Sequence, residues 1–277
     1  YPAPPGVPAE IPGLEYAGVV EALGPTATGP LRAGDRVFGI VGGGGMAELL
    51  VTPERMAVPI PANLSLVEAA AVPEAFLTAH DALETQAGLR PGERVLIQAV
   101  GSGVGTAACQ LAHAMGCTVF GTSRTSSKLR RAAAYGLDVA IDASREDFAA
   151  VVRDRTEGAG VDVVVDLVGA SALAGNLAAL ATRGRLVLVG LLGGGTTTID
   201  LSVLLRKRLN VVGTTLRARP IEEKIAVTQR FAARVVPWLG RGLVRPILDR
   251  VFAFEDVVAA EQRLESNLGF GKIVLRL

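Results

Sequence analysis

The residues best placed to do chemistry lie in Arg94–Leu111, RVLIQAVGSGVGTAACQL. Val95 to Val100 is an apolar run of strand length with β-branched character. Gly101, Gly103 and Gly105 follow, and small and apolar residues then continue to Met115 with helical spacing. Strand, glycine turn and helix is the order that holds a pyrophosphate. Glycine lets the main chain turn sharply and approach the phosphates, and the helix N-terminus offers N–H groups and the positive end of its dipole. Thr106 stands where the last glycine of a G-x-G-x-x-G pattern would fall, so the turn taken alone also fits a plain strand–helix connection.

A second signal lies downstream. An NAD-binding unit usually carries an acidic residue about 20 residues past the glycines, on the ribose 2′-hydroxyl. Here that place reads Gly121-Thr122-Ser123-Arg124-Thr125-Ser126-Ser127-Lys128, without a carboxylate. Hydroxyls and two cations suit a 2′-phosphate, which Arg can pair and a carboxylate would repel, and this favours NADPH over NADH. The alternative is a solvated loop with Ser126 as a helix cap. Other chemistry is sparse. His80 and His113 are the only histidines and Cys109 and Cys117 the only cysteines, whereas a catalytic zinc needs about three ligands. His80 reads as structural and His113 as packed or solvent-facing. Cys109 falls mid-helix, and Cys117 opens a strand with no adjacent base to activate it. Without a metal or a Ser/His/Asp arrangement, a bound cofactor must do the chemistry, with the protein supplying position and exclusion of water.

Three rhythms surround these residues. Tyr1 to Pro12 is proline-rich and reads as an extended loop. From Gly13 to Ile60, β-type runs at Ala17–Leu23, Arg36–Ile40 and Met46–Val51 alternate with glycine turns, which suggests a small antiparallel barrel or sandwich. Ser65, three residues before Glu68, starts a capped helix, and Phe76–Ala87 is a second helical stretch. After Gly92 the pattern becomes regular α/β alternation. Strands are expected at Cys117–Gly121, Asp138–Ile141, Val161–Leu167, Arg185–Val189 and Asn210–Leu216, with helices at Ser126–Tyr135, Arg145–Thr156 and Ala172–Ala181. That alternation predicts right-handed crossovers and a doubly wound parallel sheet, with ligands at the carboxyl ends of its strands. Beyond Arg217 a long helix over Glu222–Leu239, a strand Asp249–Phe254, a helix Glu255–Leu264 and a strand Lys272–Leu277 break the rhythm and are expected to return to the first domain. The expected domains are therefore 1–75, 76–216 and the return 217–277.

With 277 residues, 49% hydrophobic and 20% charged, the chain can bury a sizeable core. A net charge of +1 is too small for a nucleic-acid or anionic-membrane footprint, and Arg206-Lys207-Arg208 reads as a solvated helix end. No apolar run reaches the length of a membrane span, no signal peptide is visible, and two cysteines make no disulfide framework, so the expected compartment is the cytoplasm. The start at Tyr1, inside a proline-rich segment and without Met, suggests a chain whose first part is missing.

The segments YPAPPG, IPGLEYAGVV, AGDRVFGI, GGGGMAE, AAAVPEAFLTAHDAL, VLIQAVGSGVGTAACQLA, GTSRTSSKL, GLLGGG, ILDRVF and GFGKIVL, in this order, carry a likeness over essentially the whole chain. It resembles the zinc-free quinone oxidoreductases of the medium-chain dehydrogenase/reductase superfamily, in the branch typified by the p53-inducible quinone oxidoreductase. The resemblance implies an α/β protein with a GroES-like β-rich catalytic domain, here N-terminally incomplete, and a Rossmann domain. It also implies NADPH, hydride transfer to a small quinone substrate, and a homodimer paired through the Rossmann edge strand, with neither nucleic acid nor membrane as partner.

Zinc-dependent relatives carry Gly-His-Glu where this chain has Gly13-Leu14-Glu15, and Leu14 cannot ligate a metal. Carried over, Tyr1 followed by Pro2 takes the place of the family's tyrosine beside the nicotinamide, where it would orient or protonate the quinone. Thr78 would contact the cofactor near its nicotinamide half, and Ser102, Gly103, Val104 and Gly105 would form the phosphate turn. Ser123, Arg124 and Lys128 would hold the 2′-phosphate. Leu191, Leu192, Gly193 and Gly194 would pass over the nicotinamide, and Phe270, Gly271 and Lys272 would close the site. Asp142-Ala143 departs from the family, which often has Tyr there, and adds a negative charge near the 2′-phosphate. Two other readings stay open: an enoyl or enone reductase of the same superfamily, and a non-catalytic, crystallin-like nucleotide-binding protein.

Overall fold

In the computed structural model, which describes residues 10–277, glycine and proline keep the first elements short. β1 (Glu15–Val19) pairs antiparallel with β2 (Arg36–Ile40), and β2 with β3 (Val58–Pro59), in the order β1-β2-β3. Val37, Phe38 and Ile40 of β2 face the core. The expected strand at Met46–Val51 does not form: it pairs with no strand among the described residues, and Leu49 and Val51 stand exposed. β-type composition makes a strand only where a partner ladder satisfies the backbone. α1 (Leu66–Ala70) begins at the expected capping box, with Ser65 Oγ accepting from Glu68 N at 3.2 Å and Glu68 Oε2 accepting from Ser65 N at 2.9 Å. α2 (Pro73–His80) runs on into a wider π-helical turn, Asp81–Gln86.

The alternating region follows as β4 (Arg94–Ile97), α3 (Gly103–Ala114), β5 (Thr118–Ser123), α4 (Ser126–Ala133), β6 (Val139–Asp142), α5 (Phe148–Arg155), β7 (Val161–Asp166), α6 (Leu173–Ala179), β8 (Leu180–Leu188), α7 (Leu201–Lys207) and β9 (Asn210–Gly213). All its ladders are parallel, in the order β6-β5-β4-β7-β8-β9. This is the doubly wound order, and its direction reverses between β4 and β7. The strands read as continuous apolar runs because both faces are covered. Leu96, Phe120, Ile141, Val164 and Leu186 join Val152 and Leu177 in one core. Two details escaped the sequence pattern. β8 starts at Leu180, straight out of α6, because a register shift lets Leu180 pair with Val161 while Arg185 pairs with Val163. α7 is an extra helix, capped by Asp200 Oδ1 accepting from Ser202 N at 2.8 Å and ended by left-handed Arg208.

The chain closes with α8 (Ile221–Arg234), α9 (Val236–Gly240), β10 (Leu248–Ala253), α10 (Val257–Glu265) and β11 (Lys272–Arg276), and β10 and β11 pair in parallel. The single helix expected over Glu222–Leu239 is two. Pro237 lacks the N–H that a continuous helix needs, and it sits in the first turn of α9. Phe231 of α8 meets Phe38 edge-on, ring centres 6.2 Å apart. The chain divides into two compact units: the described part of Tyr1–Leu77 with Thr215–Leu277, and Thr78–Thr214.

Candidate functional site

The glycine turn is built by close backbone approach. Ala99 takes a left-handed conformation, Val100 N donates to Thr122 O at 2.9 Å, and Ser102 N donates back to Ala99 O at 3.0 Å. Ser102 then caps α3, its Oγ accepting from Gly105 N at 3.0 Å. Gly103 and Val104 supply first-turn amides that helix geometry leaves without intrahelical partners. A Cβ on Gly105 would lie 2.4 Å from Ala99 O and 2.8 Å from Val100 Cα, so only glycine fits. A Cβ on Gly101 would instead meet Lys128 Cδ at 2.8 Å, because the methylenes of Lys128 lie across the turn. First-turn amides at the positive end of a helix, with the Lys128 stem beside the turn, fit a diphosphate.

At the end of β5, Ser123 is buried and its Oγ accepts from Thr125 N at 3.1 Å, which shapes the turn presenting exposed Arg124. The helix cap is at Thr125, not Ser126, and no side chain bonds there. Asp142 is the strand neighbour of Ser123, but its carboxylate is directed elsewhere. Oδ1 accepts from Ser144 Oγ at 2.5 Å and Ser144 N at 3.0 Å, and Arg145 lies 4.0 Å from Oδ2. These contacts, Ser144 first, hold its pKa below the usual carboxylate range.

The loops after β7 and β8 lie at the same, carboxyl, end of the sheet and interlock. Ala170 N donates to Gly194 O at 2.9 Å and Gly193 N to Val168 O at 2.6 Å. Gly169 and Gly194 adopt positive φ, and a Cβ on Gly193 would fall 2.1 Å from Ser171 Oγ. Gly193 is thus favoured by close packing and Gly194 by its positive φ, while the side chains of Leu191 and Leu192 are 51% and 78% exposed. Thr78 sits in the last turn of α2, partly buried, in the same unit.

Phe270, Gly271 and Lys272 belong to the other unit. Phe270 is fully buried there and its N donates to Asp249 Oδ1 at 3.1 Å, so this segment presents backbone, not the Phe270 ring. Gly271 has positive φ and no room for a Cβ beside Ile247 O. Lys272 Nζ pairs with Glu15 Oε1, and Glu15 Oε2 accepts from Glu74 N at 2.9 Å. Burial alone would lower the Lys272 pKa, but Glu15 and Glu74 carry it above the usual lysine value. Tyr1 lies outside the described residues.

No group of three or more His, Cys, Asp or Glu among the described residues is arranged to hold a metal ion. Burial, helped by Asp138, pushes the Cys109 thiol up to about 12, and burial, helped by Glu93, pushes Cys117 to about 11, so both stay protonated. His80 is buried with Nε2 3.3 Å from Glu84 Oε2. The sequence reading passed over one buried set: Gln98, Thr122, Asn176 and Asp166. Their signal was available, as polar residues inside otherwise apolar strands and a helix.

Residues 1–62 match the family described as the alcohol dehydrogenase GroES-like domain, and residues 103–233 the family described as zinc-binding dehydrogenase. The chain is 35% identical over 280 residues to the quinone oxidoreductase of Pseudomonas aeruginosa, covering 99% of this chain and 84% of the relative. It is 32% identical over 267 residues to quinone oxidoreductase-like protein 2 of Bos taurus, covering 96% and 76%. Two solved structures share the fold. One is an NAD-dependent alcohol dehydrogenase, at 32% identity, TM-score 0.88, and coverage of 99% and 85%. The other is a mycobacterial protein complexed with NADPH, at 28% identity, TM-score 0.86, and coverage of 96% and 82%. The chain belongs to the medium-chain dehydrogenase/reductase superfamily and is an oxidoreductase of that fold.

Proposed function

We propose that this oxidoreductase uses NADPH to reduce quinones without a metal. The observation that carries the reading is the glycine turn, whose Gly105 packs too closely on Ala99 O to bear even a methyl group and which leads directly into the N-terminus of α3, capped by Ser102. When bound, NADPH supplies the hydride. The chain's own residues do the rest. Ser102 holds the turn, Gly103 and Val104 offer amides to the diphosphate, and Arg124 and Lys128 bring positive charge to an end of β5 that has no carboxylate of its own. Asp142 is turned to Ser144 and Arg145, which reduces its conflict with a 2′-phosphate. Gly169, Gly193 and Gly194 let two loops close together on the nicotinamide side. Leu14 replaces the histidine that zinc-dependent relatives carry, and Glu15 is engaged by Lys272, which supports a metal-free reaction. Tyr1 is assigned the orientation or protonation of the quinone. A cytoplasmic homodimer paired through β9 completes the reading.

The test is titration calorimetry with NADPH and NADH, followed by turnover of ortho- and para-quinones and enones, with and without a chelator. Arg124→Ala is expected to weaken NADPH about tenfold and leave NADH unchanged, as loss of one charge-assisted phosphate contact implies. A preference for NADH overturns the cofactor assignment, and inhibition by chelator overturns the metal-free assignment. Turnover of enones alone makes the protein an alkene reductase. NADPH binding without turnover of any acceptor makes it a non-catalytic nucleotide binder.

A further inference from the structure

A single file of buried polar groups crosses the carboxyl end of the six-stranded sheet. Ala99 N donates to Thr122 Oγ1 at 3.3 Å, Thr122 Oγ1 donates to Gln98 Oε1 at 2.5 Å, and Gln98 Nε2 donates to Asn176 Oδ1 at 2.6 Å. Asn176 Nδ2 and Asp166 Oδ2 are a buried donor and a buried acceptor with no hydrogen-bond partner in the structure, and the Asn176 side chain acts on the Asp166 carboxyl to lower its pKa. The other oxygen, Asp166 Oδ1, accepts from Val168 N at 2.7 Å and Gly169 N at 3.0 Å. The main-chain carbonyl of Asp166 accepts from Val189 N at 2.8 Å and Gly190 N at 3.2 Å. Asp166 and Asn176 are fully buried, and Gln98 and Thr122 are 2% exposed. No water can therefore replace a lost partner cheaply.

The file has a direction. A carboxylate only accepts, and Asn176 Oδ1 is taken by Gln98 Nε2, so the Asn176 NH2 is the group left to face Asp166. Gln98 must then present NH2 to Asn176 and oxygen to Thr122. The Thr122 hydroxyl spends its proton on Gln98 and keeps a lone pair for Ala99 N, at the left-handed residue that begins the glycine turn. We propose that Asp166, Asn176, Gln98 and Thr122 are positioning residues, a polarised relay that locks the glycine turn and the Gly169–Gly194 loops into one geometry. This rests on the reading of the glycine turn as the diphosphate seat. The relay makes the two halves of a dinucleotide site interdependent although no side chain in it touches the ligand. Burial raises the Asp166 pKa, and the Gly169 and Val168 amides and Asn176 oppose that rise.

The direction gives the test its form. Asp166→Asn sets two NH2 groups face to face, so Asn176 and Gln98 must turn over and Thr122 loses its acceptor. Asn176→Asp alone sets two carboxylates face to face. The double variant Asp166→Asn/Asn176→Asp restores every donor to an acceptor, because the new Asn keeps Oδ1 for Val168 and Gly169 and donates to the new Asp. In the ligand-free protein, amide hydrogen exchange at Ala99 is expected to be about tenfold faster in either single variant and to return to within about threefold of wild type in the swap. Binding of 2′-phospho-ADP-ribose, which carries the diphosphate but no nicotinamide, is expected to fall about tenfold in D166N and recover in the swap. If exchange at Ala99 and binding of that fragment are unchanged in D166N, or if the swap is no better than the worse single variant, the relay is refuted. If D166N does not fold, Thr122→Val breaks the file at its other end. Faster exchange at Val168 and Gly169 in that variant supports the relay, and unchanged exchange there overturns it. A wild-type protein that binds neither the fragment nor NADPH refutes the cofactor reading, while the exchange measurements still decide the relay.

Discussion

Gly105 and Gly101 show how two glycines of one motif carry different weights. A methyl group on Gly105 would meet main-chain atoms, Ala99 O at 2.4 Å and Val100 Cα at 2.8 Å, which cannot move without opening the turn. On Gly101 it would meet the Lys128 side chain, which can shift. Gly105→Ala is therefore expected to cost about 1–3 kcal/mol of stability and most of the dinucleotide affinity, and Gly101→Ala clearly less. Urea unfolding and calorimetry on both variants check this, and equal losses would contradict it. The motif itself was legible in the sequence because glycine's permissiveness is intrinsic to the residue. The different roles of its members were not, since they depend on Ala99 and Lys128, which reach the turn only through folding. Ser126 was misread for the same reason. Its neighbour Thr125 occupies the cap position, and no hydroxyl there bonds the helix.

Elements formed where local signals agreed and failed where a partner was needed. The Ser65–Glu68 capping box is complete within four residues, whereas Met46–Val51 has strand composition and no ladder. β8 gains its anchor from Arg185, whose guanidinium grips Glu93 in two bonds of 2.8 and 2.7 Å and also donates to Ala87 O at 2.9 Å. The pair fastens β8 to the connection that leads into β4. Burial would raise the Glu93 pKa, but Arg185 and the Arg90 amide bring it below the usual glutamate value. A lowered carboxylate pKa contributes stability that is complete above about pH 4.3 and is lost as pH falls through the folded value. Arg185→Met is thus expected to cost about 1.5–3 kcal/mol at pH 7, with the deficit shrinking below pH 4. Guanidinium melts at pH 7 and 3.5 check it, and a pH-independent deficit would remove Glu93 from the account.

At the scale of the molecule, the sheet ends on β9, an edge strand with Val211 40% exposed, and α7 next to it in sequence exposes Leu201 and Leu205 at 63% and 78%. An open apolar edge invites a further strand, and a second copy of β9 meets that need in the proposed homodimer. The double variant Val211→Lys/Leu205→Glu is expected to shift the protein to monomer in sedimentation velocity. A wild-type chain that is monomeric at tens of micromolar would refute the pairing.

By itself the sequence determined whatever acts over a few residues: the glycine turn, the capping box, the strand–helix alternation that implies a doubly wound sheet, and the absence of a ligand at Leu14. Folding decided what joins distant residues. Gln98 meets Asn176 across 78 positions of chain and Arg185 meets Glu93 across 92. Contacts at such separations leave no period in the sequence. A buried carboxylate among apolar residues looks like an error in a strand until the amides and the asparagine that surround it are brought there by the sheet.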